Sequence, residues 1–176
     1  VGNPQKLCQK DIDARWTKKN SETHYGYKNH ISIDRKFAFV CRYAVTEASV
    51  HDSQVLGQIL DIENSDDEVG GDGGYRSEKI EWILETLKFK SEIHERAYKN
   101  RPLTEEQKEN NREKSKIRAK VEHIFGAWVT SMQGKLVHSI GRVRVEANIG
   151  LKYLAYNIRR LVFLENQAGV QADIVA

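Results

Sequence analysis

Residues 26–45 read GYKNHISIDRKFAFVCRYAV, and the order of side chains in this stretch decides the kind of fold. Tyr27, Asn29, Ile31 and Ile33 alternate with Lys28, His30, Ser32 and Asp34, a period of two that sends the two sets to opposite faces of a strand. Asp34 and Arg35 break the alternation as a turn would. Phe37 to Val45, rich in Phe, Val and Tyr, then supplies a second strand, so the pair predicts an antiparallel hairpin.

The flanks change period. Asp52 precedes Val55, Leu56, Ile59 and Leu60, which predicts a short helix capped by Asp52 or Ser53. Glu68 to Asp72 reads as a short strand running into Gly73-Gly74, and after Ser77 the residues Ile80, Ile83, Leu84 and Leu87 fall at helical spacing. Beyond Pro102 a polar stretch leads to Ile117, Val121, Ile124, Phe125 and Trp128 on one helix face, with Gly126 as a possible early stop. Leu151, Leu154, Ile158 and Leu161 form a stripe in Val145–Phe163 that is expected to close the core, with Lys152, Arg159 and Arg160 pointing elsewhere. Strands followed by helices around a mixed sheet make an α/β protein of two or three layers. The first 23 residues show no clean period and read as an extended or loop segment that must lie on something else.

A length of 176 residues suits one domain. Hydrophobic residues are 39 % and charged residues 30 %, and the mean hydropathy is −0.64, polar for a globular chain but too rich in aromatics and β-branched residues for disorder. No apolar run reaches the roughly 20 residues of a membrane span, and residues 1–20 lack the layout of a signal peptide, so a cytoplasmic protein is expected. Cys8 and Cys41 fit neither a disulfide framework nor a CxxC metal pair.

The net charge of +3 hides a separation. Residues 111–160 hold 11 Lys or Arg against 3 Asp or Glu, whereas residues 47–72 hold 8 acids and no Lys or Arg. Two solvated faces would account for this, and so would a surface for a polyanion beside an acidic cation site. Among the acids, Asp72 is either a metal ligand at a strand end or part of an Asp-Gly turn. Glu122 is either a ligand or the partner of Arg118 one helical turn before it, and Asp52 reads as a cap. The six histidines make no metal-ligand spacing and read as polar surface or hydrogen-bond partners. GxSxG, P-loop and GxGxxG motifs are absent, which removes the serine hydrolase, P-loop nucleotidase and Rossmann dehydrogenase classes.

Five segments in order, DIDARWTKK (residues 11–19), YGYKNHISID (25–34), VTEASVHDSQ (45–54), GDGGYRS (71–77) and KIRAKVEHIFG (116–126), resemble the DDE transposases of bacterial insertion sequences, in the group named after insertion sequence 5. The resemblance spans residues 11–164 and implies a ribonuclease-H-like catalytic fold that cuts and joins DNA at transposon ends. Carried over by motif, Asp72 is the second metal-binding acid, Glu122 the third, and Arg118 the catalytic arginine beside them. It implies Mg²⁺ or Mn²⁺ as cofactor, transposon terminal repeats and target DNA as partners, a homodimer in the intact protein, and work on DNA of the bacterial nucleoid. It divides the chain into an inserted extended or loop segment (1–23), the C-terminal part of the catalytic domain (24–165) and a tail (166–176).

The first acid of the family lies on a strand upstream of the DIDARW segment, so the chain is expected to lack that strand and to be inactive alone. Ser115 and Val129 stand where the family signature has Tyr and Lys, and Gly71-Asp72-Gly73-Gly74-Tyr75 replaces Ala-Asp-Lys-Gly-Tyr. These departures keep open a noncatalytic remnant that binds DNA or a subunit, and a nuclease of similar fold shares the same chemistry. In the enzyme reading, carboxylates cage two Mg²⁺ ions that activate the attacking oxygen and stabilise the leaving one. Lys114, Lys116, Lys120, Arg142, Arg144, Arg159 and Arg160 would contact phosphates, with affinity falling steeply with salt.

Overall fold

The computed structural model describes residues 10–175 except 20, 64–66, 99, 133 and 135, and side chains as far as 168. Cys8 lies outside this range. Five strands and four α-helices are present in it: β1 (Arg15–Lys19), β2 (Glu22–Ile33), β3 (Val40–Glu47), α1 (Leu56–Ile59), β4 (Glu68–Gly71), α2 (Glu78–Thr86), β5 (Lys90–Ile93), α3 (Glu105–Ser131) and α4 (Arg142–Val175). Single 3₁₀ turns at Asp52–Gln54 and Gly73–Tyr75 complete the order.

The expected hairpin is β2 and β3, paired antiparallel from Tyr27↔Glu47 to Ile33↔Val40. Its turn is wider than the sequence implies. Asp34 accepts hydrogen bonds from the amides of Lys36 and Phe37, and Ala38 takes a left-handed backbone at φ 59°, so β3 begins at Val40 rather than Phe37. The other edge of β2 holds β1 over Glu22–Gly26 only, which places a strand inside the segment expected to be extended or loop. β4 and β5 pair in parallel as a separate sheet, so the described residues contain two sheets rather than one mixed sheet.

Two apolar layers sandwich the hairpin. On one face Val40 and Val45 meet Ile124 and Trp128 of α3 and Val145, Ile149 and Tyr153 of α4. On the other, Ala44 meets Val55, Leu56, Ile59, Ile80, Leu84 and Ile93. The architecture is three-layered α/β.

Two helices depart from expectation. Gly126 does not stop α3, which runs on to Ser131 with open space around that glycine. The stripe assigned to the core in α4 faces out: Leu151, Leu154, Ile158 and Leu161 are 68, 57, 54 and 48 % exposed, while the buried residues are Val145, Ile149 and Tyr153. The helix is apolar on both faces here, and Tyr153, Tyr156 and Asn157 win the inner one by bonding Asn29 and the carbonyls of Ala38 and Val40. Gly150 faces Tyr43, whose hydroxyl fills the space that an added Cβ would need.

Candidate active site

Asp72 follows the last residue of β4 and caps no helix with its side chain. Glycine at 73 and 74 is not required by backbone sign, since neither has positive φ. Gly74 instead admits Asp52, whose Oδ2 lies 3.3 Å from where a Cβ would be. Asp52 does not cap the following turn, a role His51 takes by accepting from Ser53 N. It pairs with Lys28 at 3.2 Å.

Glu122 comes from the middle of α3, a helix started by a reciprocal capping box between Thr104 and Gln107. Arg118 lies one turn before it. One guanidinium nitrogen, Nη2, sits 2.8 Å from Glu122 Oε1 and 3.5 Å from Asp72 Oδ2. The two acids, 50 positions apart in sequence, therefore share one cation. All three side chains are open to solvent, 53 % for Asp72, 59 % for Glu122 and 40 % for Arg118.

The three residues line a groove of about 780 Å³ between the β2 edge, Gly26–Ile33, and the β4 edge, Glu68–Gly71. Arg35 of the hairpin turn pairs with Glu68 across it. Behind Asp72, His30 is buried, with Nδ1 3.2 Å from the Tyr75 hydroxyl and Nε2 3.0 Å from Thr46 Oγ1. Burial holds the His30 pKa below its ordinary value. Burial, reinforced by Asp52 and Asp72, pushes the Tyr75 hydroxyl up to about 12. His94 is also held low, by burial and then by Arg118.

Of the expected phosphate contacts, only Lys114 and Lys120 line the groove with Arg118. Lys114 is engaged with the Ile93 carbonyl and Glu92, and Lys120 with the Arg35 carbonyl. Lys116 pairs with Glu113 on the same helix, and Arg160 donates to the Phe37 carbonyl. Arg142, Arg144 and Arg159 lie on exposed positions of α4 and have no ion-pair partner among the described residues. Ser115 bonds back to the Asn111 carbonyl, and Val129 is 48 % exposed.

Asp11 and Asp13 have another role. Asp11 Oδ2 accepts from Gly141 N and Asp13 Oδ2 from Arg142 N, both at 3.1 Å, so the pair caps the first turn of α4. Asp11 Oδ1 further accepts from Tyr27 at 2.7 Å. Burial would raise the Asp11 pKa, but these hydrogen bonds outweigh it and hold the carboxyl below its usual range. No sequence signal could have linked residues 130 positions apart; Lys28 and Tyr75 were likewise hidden until the fold brings them to the groove, and Asp52 was singled out only as a cap.

The profile of the family described as Transposase DDE domain matches residues 2–158. The chain belongs to that family. This transposase domain is 33 % identical over 154 residues to the transposase for insertion sequence element IS1106 of Neisseria meningitidis serogroup B, a match covering 88 % of this chain and 53 % of the relative. The chain thus spans about half the length of that relative. No solved structure shows a significant match. No helix among the described residues is long and apolar enough to cross a membrane.

Proposed function

We propose that this transposase domain supplies two of the carboxylates of a metal-dependent centre that cleaves and transfers DNA strands at transposon ends, with Asp72 and Glu122 as ligands. The observation that carries this reading is Arg118, whose single nitrogen holds Asp72 and Glu122 together in one open groove. Two half-exposed carboxylates with a cation between them are the donor type Mg²⁺ takes, usually one or two acids completed by waters and substrate phosphate. Among the described residues no group of three His, Cys, Asp or Glu could hold a metal, so a further acid from elsewhere would be needed for a two-ion site. When bound, such ions activate the attacking oxygen and offset charge on the leaving one. The chain's own residues do the positioning: β4 and α3 fix the two carboxylates, and Arg118 offsets part of their charge and gives an anchor for a phosphate oxygen.

The ribonuclease-H-like reading is supported by the two sheet edges that border the groove. Among the described residues, β2 has no strand over Tyr27–Ile33 on the edge that β1 uses, and β4 pairs with β5 alone. One extended segment laid between them would satisfy both rows of backbone groups and join the sheets into one. A carboxylate at the end of that segment beside Asp72 would complete the acid set. A protein including that segment should lose Mg²⁺ binding in Asp72→Ala and Glu122→Ala, measured by calorimetric titration. Unchanged affinity in either variant rejects the assignment. The 176-residue chain alone is expected to bind DNA without cutting it, and metal-dependent cleavage by it would overturn the need for a further acid.

The partner is a second copy. Leu151, Leu154, Ile158 and Leu161 follow a 3-4-3 spacing, the seam of a coiled coil rather than of a helix lying on a sheet. Exposed Val162 extends the strip, and a continuous apolar seam of this kind on one helix is what a second copy of the same helix covers. Sedimentation equilibrium should show a dimer that Leu154→Glu with Ile158→Glu converts to monomer.

A further inference from the structure

The DIDARWTKK segment is left without a role by the carboxylate site, and the structure gives it a shape. β1 and the first five residues of β2 form a two-stranded ribbon, registered from Arg15↔Gly26 to Lys19↔Glu22, that continues β2 past its pairing with β3 by about 17 Å. Trp16 and Tyr25 face each other across it with ring centroids 4.9 Å apart, yet Trp16 remains 64 % exposed and Tyr25 39 %. The two rings are tilted by 49° rather than stacked, so the contact leaves most of the indole in solvent. Lys18 lies on the same face of β1 as Trp16 and Lys19 on the other face at the strand's end, both exposed and without an ion-pair partner among the described residues, while Arg15 pairs with Glu47. The ribbon is continuous with the groove: Thr17, Lys18, Lys19 and His24 line the same cavity as Asp72, Arg118 and Glu122. Its mounting is rigid, because the Tyr25 hydroxyl donates to the Asp11 carbonyl and Asp11 and Asp13 are fixed on α4.

We propose that the ribbon Arg15–Gly26 grips an unpaired DNA strand, with a base stacked on Trp16 and neighbouring phosphates paired with Lys18 and Lys19. The proposal rests on the reading of the groove as a site that acts on DNA, and it names the strand state that the approach to that site receives. A duplex hides the faces of its bases, so a flat, solvent-exposed indole beside two unpaired ammonium groups complements a single strand, whose bases offer those faces. Two lysines without acidic partners supply the charge that a phosphate backbone requires.

The test uses the complete transposase, without divalent metal so that cleavage plays no part, and fluorescence anisotropy with a labelled single strand of about 15 nucleotides and the duplex of the same sequence. Trp16→Ala should weaken single-strand binding between about 5-fold and 150-fold and leave the duplex within about twofold. Trp16→Phe should retain most of the single-strand affinity. Lys18→Gln with Lys19→Gln should reduce the single-strand salt slope by about 1.4, since each phosphate that a lysine no longer neutralises removes about 0.7. Single-strand affinity unchanged in Trp16→Ala, or an equal loss on both DNAs, overturns the proposal. If Trp16→Ala does not fold, as judged by its thermal transition, the double lysine variant decides by whether its slope changes. A failure of the carboxylate reading is distinguishable, since it appears as unchanged Mg²⁺ affinity in Asp72→Ala or Glu122→Ala and leaves these affinities untouched.

Discussion

Two pairs of acids in this protein differ in what their oxygens are already doing. Asp11 and Asp13 accept from backbone amides at the start of α4, and Asp11 also from Tyr27. Asp72 and Glu122 share one arginine nitrogen and remain more than half exposed. The first pair is chemically committed to the fold. The second keeps lone pairs open to solvent, and the proposed cation site rests on that difference. A carboxylate earns a catalytic assignment by what it leaves unsatisfied.

The sharpest way to break this contrast is to exchange the effects. In the complete transposase, Asp72→Asn or Glu122→Gln should reduce strand cleavage on a transposon-end substrate to background, whereas Asp11→Asn should leave Mg²⁺ affinity unchanged in calorimetry. Loss of Mg²⁺ binding in Asp11→Asn would erase the distinction. Next in size, Gly150→Ala should lower stability by about 1–3 kcal/mol in denaturant titration, because the added methyl meets the Tyr43 ring, itself packed against Tyr153. Asp11→Ala should cost about 1–2 kcal/mol, as removal of a helix cap does.

Acid sharpens the comparison further. The Asp11 carboxyl has a lowered pKa in the fold, so its contribution is present above its unfolded value of about 3.9 and disappears as pH falls through the folded value. Asp11→Asn should flatten the stability profile in that range. His30 gives the smallest effect. Its folded pKa is lowered, so the unfolded chain takes up a proton that the fold refuses, and stability should decline as pH drops below about 6.5. Thermal melts between about pH 7 and pH 5.5 that superimpose would contradict the buried, neutral ring.

What the sequence disclosed follows from where its signals were one-sided. The period-2 run of β2 and the helical spacing after Ser77 each had one structural meaning, and each is found. β1, RWTKK, and β5, KSEI, are too short and polar to announce themselves, and their pairing partners decide their state. In α4 the signal was two-sided, because Leu151 and Tyr153 lie on different faces of one apolar helix and periodicity alone cannot rank them. Asp72 and Glu122 entered through family resemblance rather than spacing, since an Asp-Gly turn and an ion pair explain each equally well in isolation. Their shared arginine is a tertiary fact.

The anchoring of α4 has a mechanical side. The helix spans 34 residues, about 50 Å at 1.5 Å per residue, and its first turn is held by two carboxylates from a distant part of the chain. It is fastened again farther along, where Tyr156, Asn157 and Arg160 bond to the carbonyls of Ala38, Val40 and Phe37, so it acts as a brace held at two places. Because Asp11 and Asp13 lead straight into β1, the same rod sets the spacing between the ribbon at one fastening and the hairpin turn at the other.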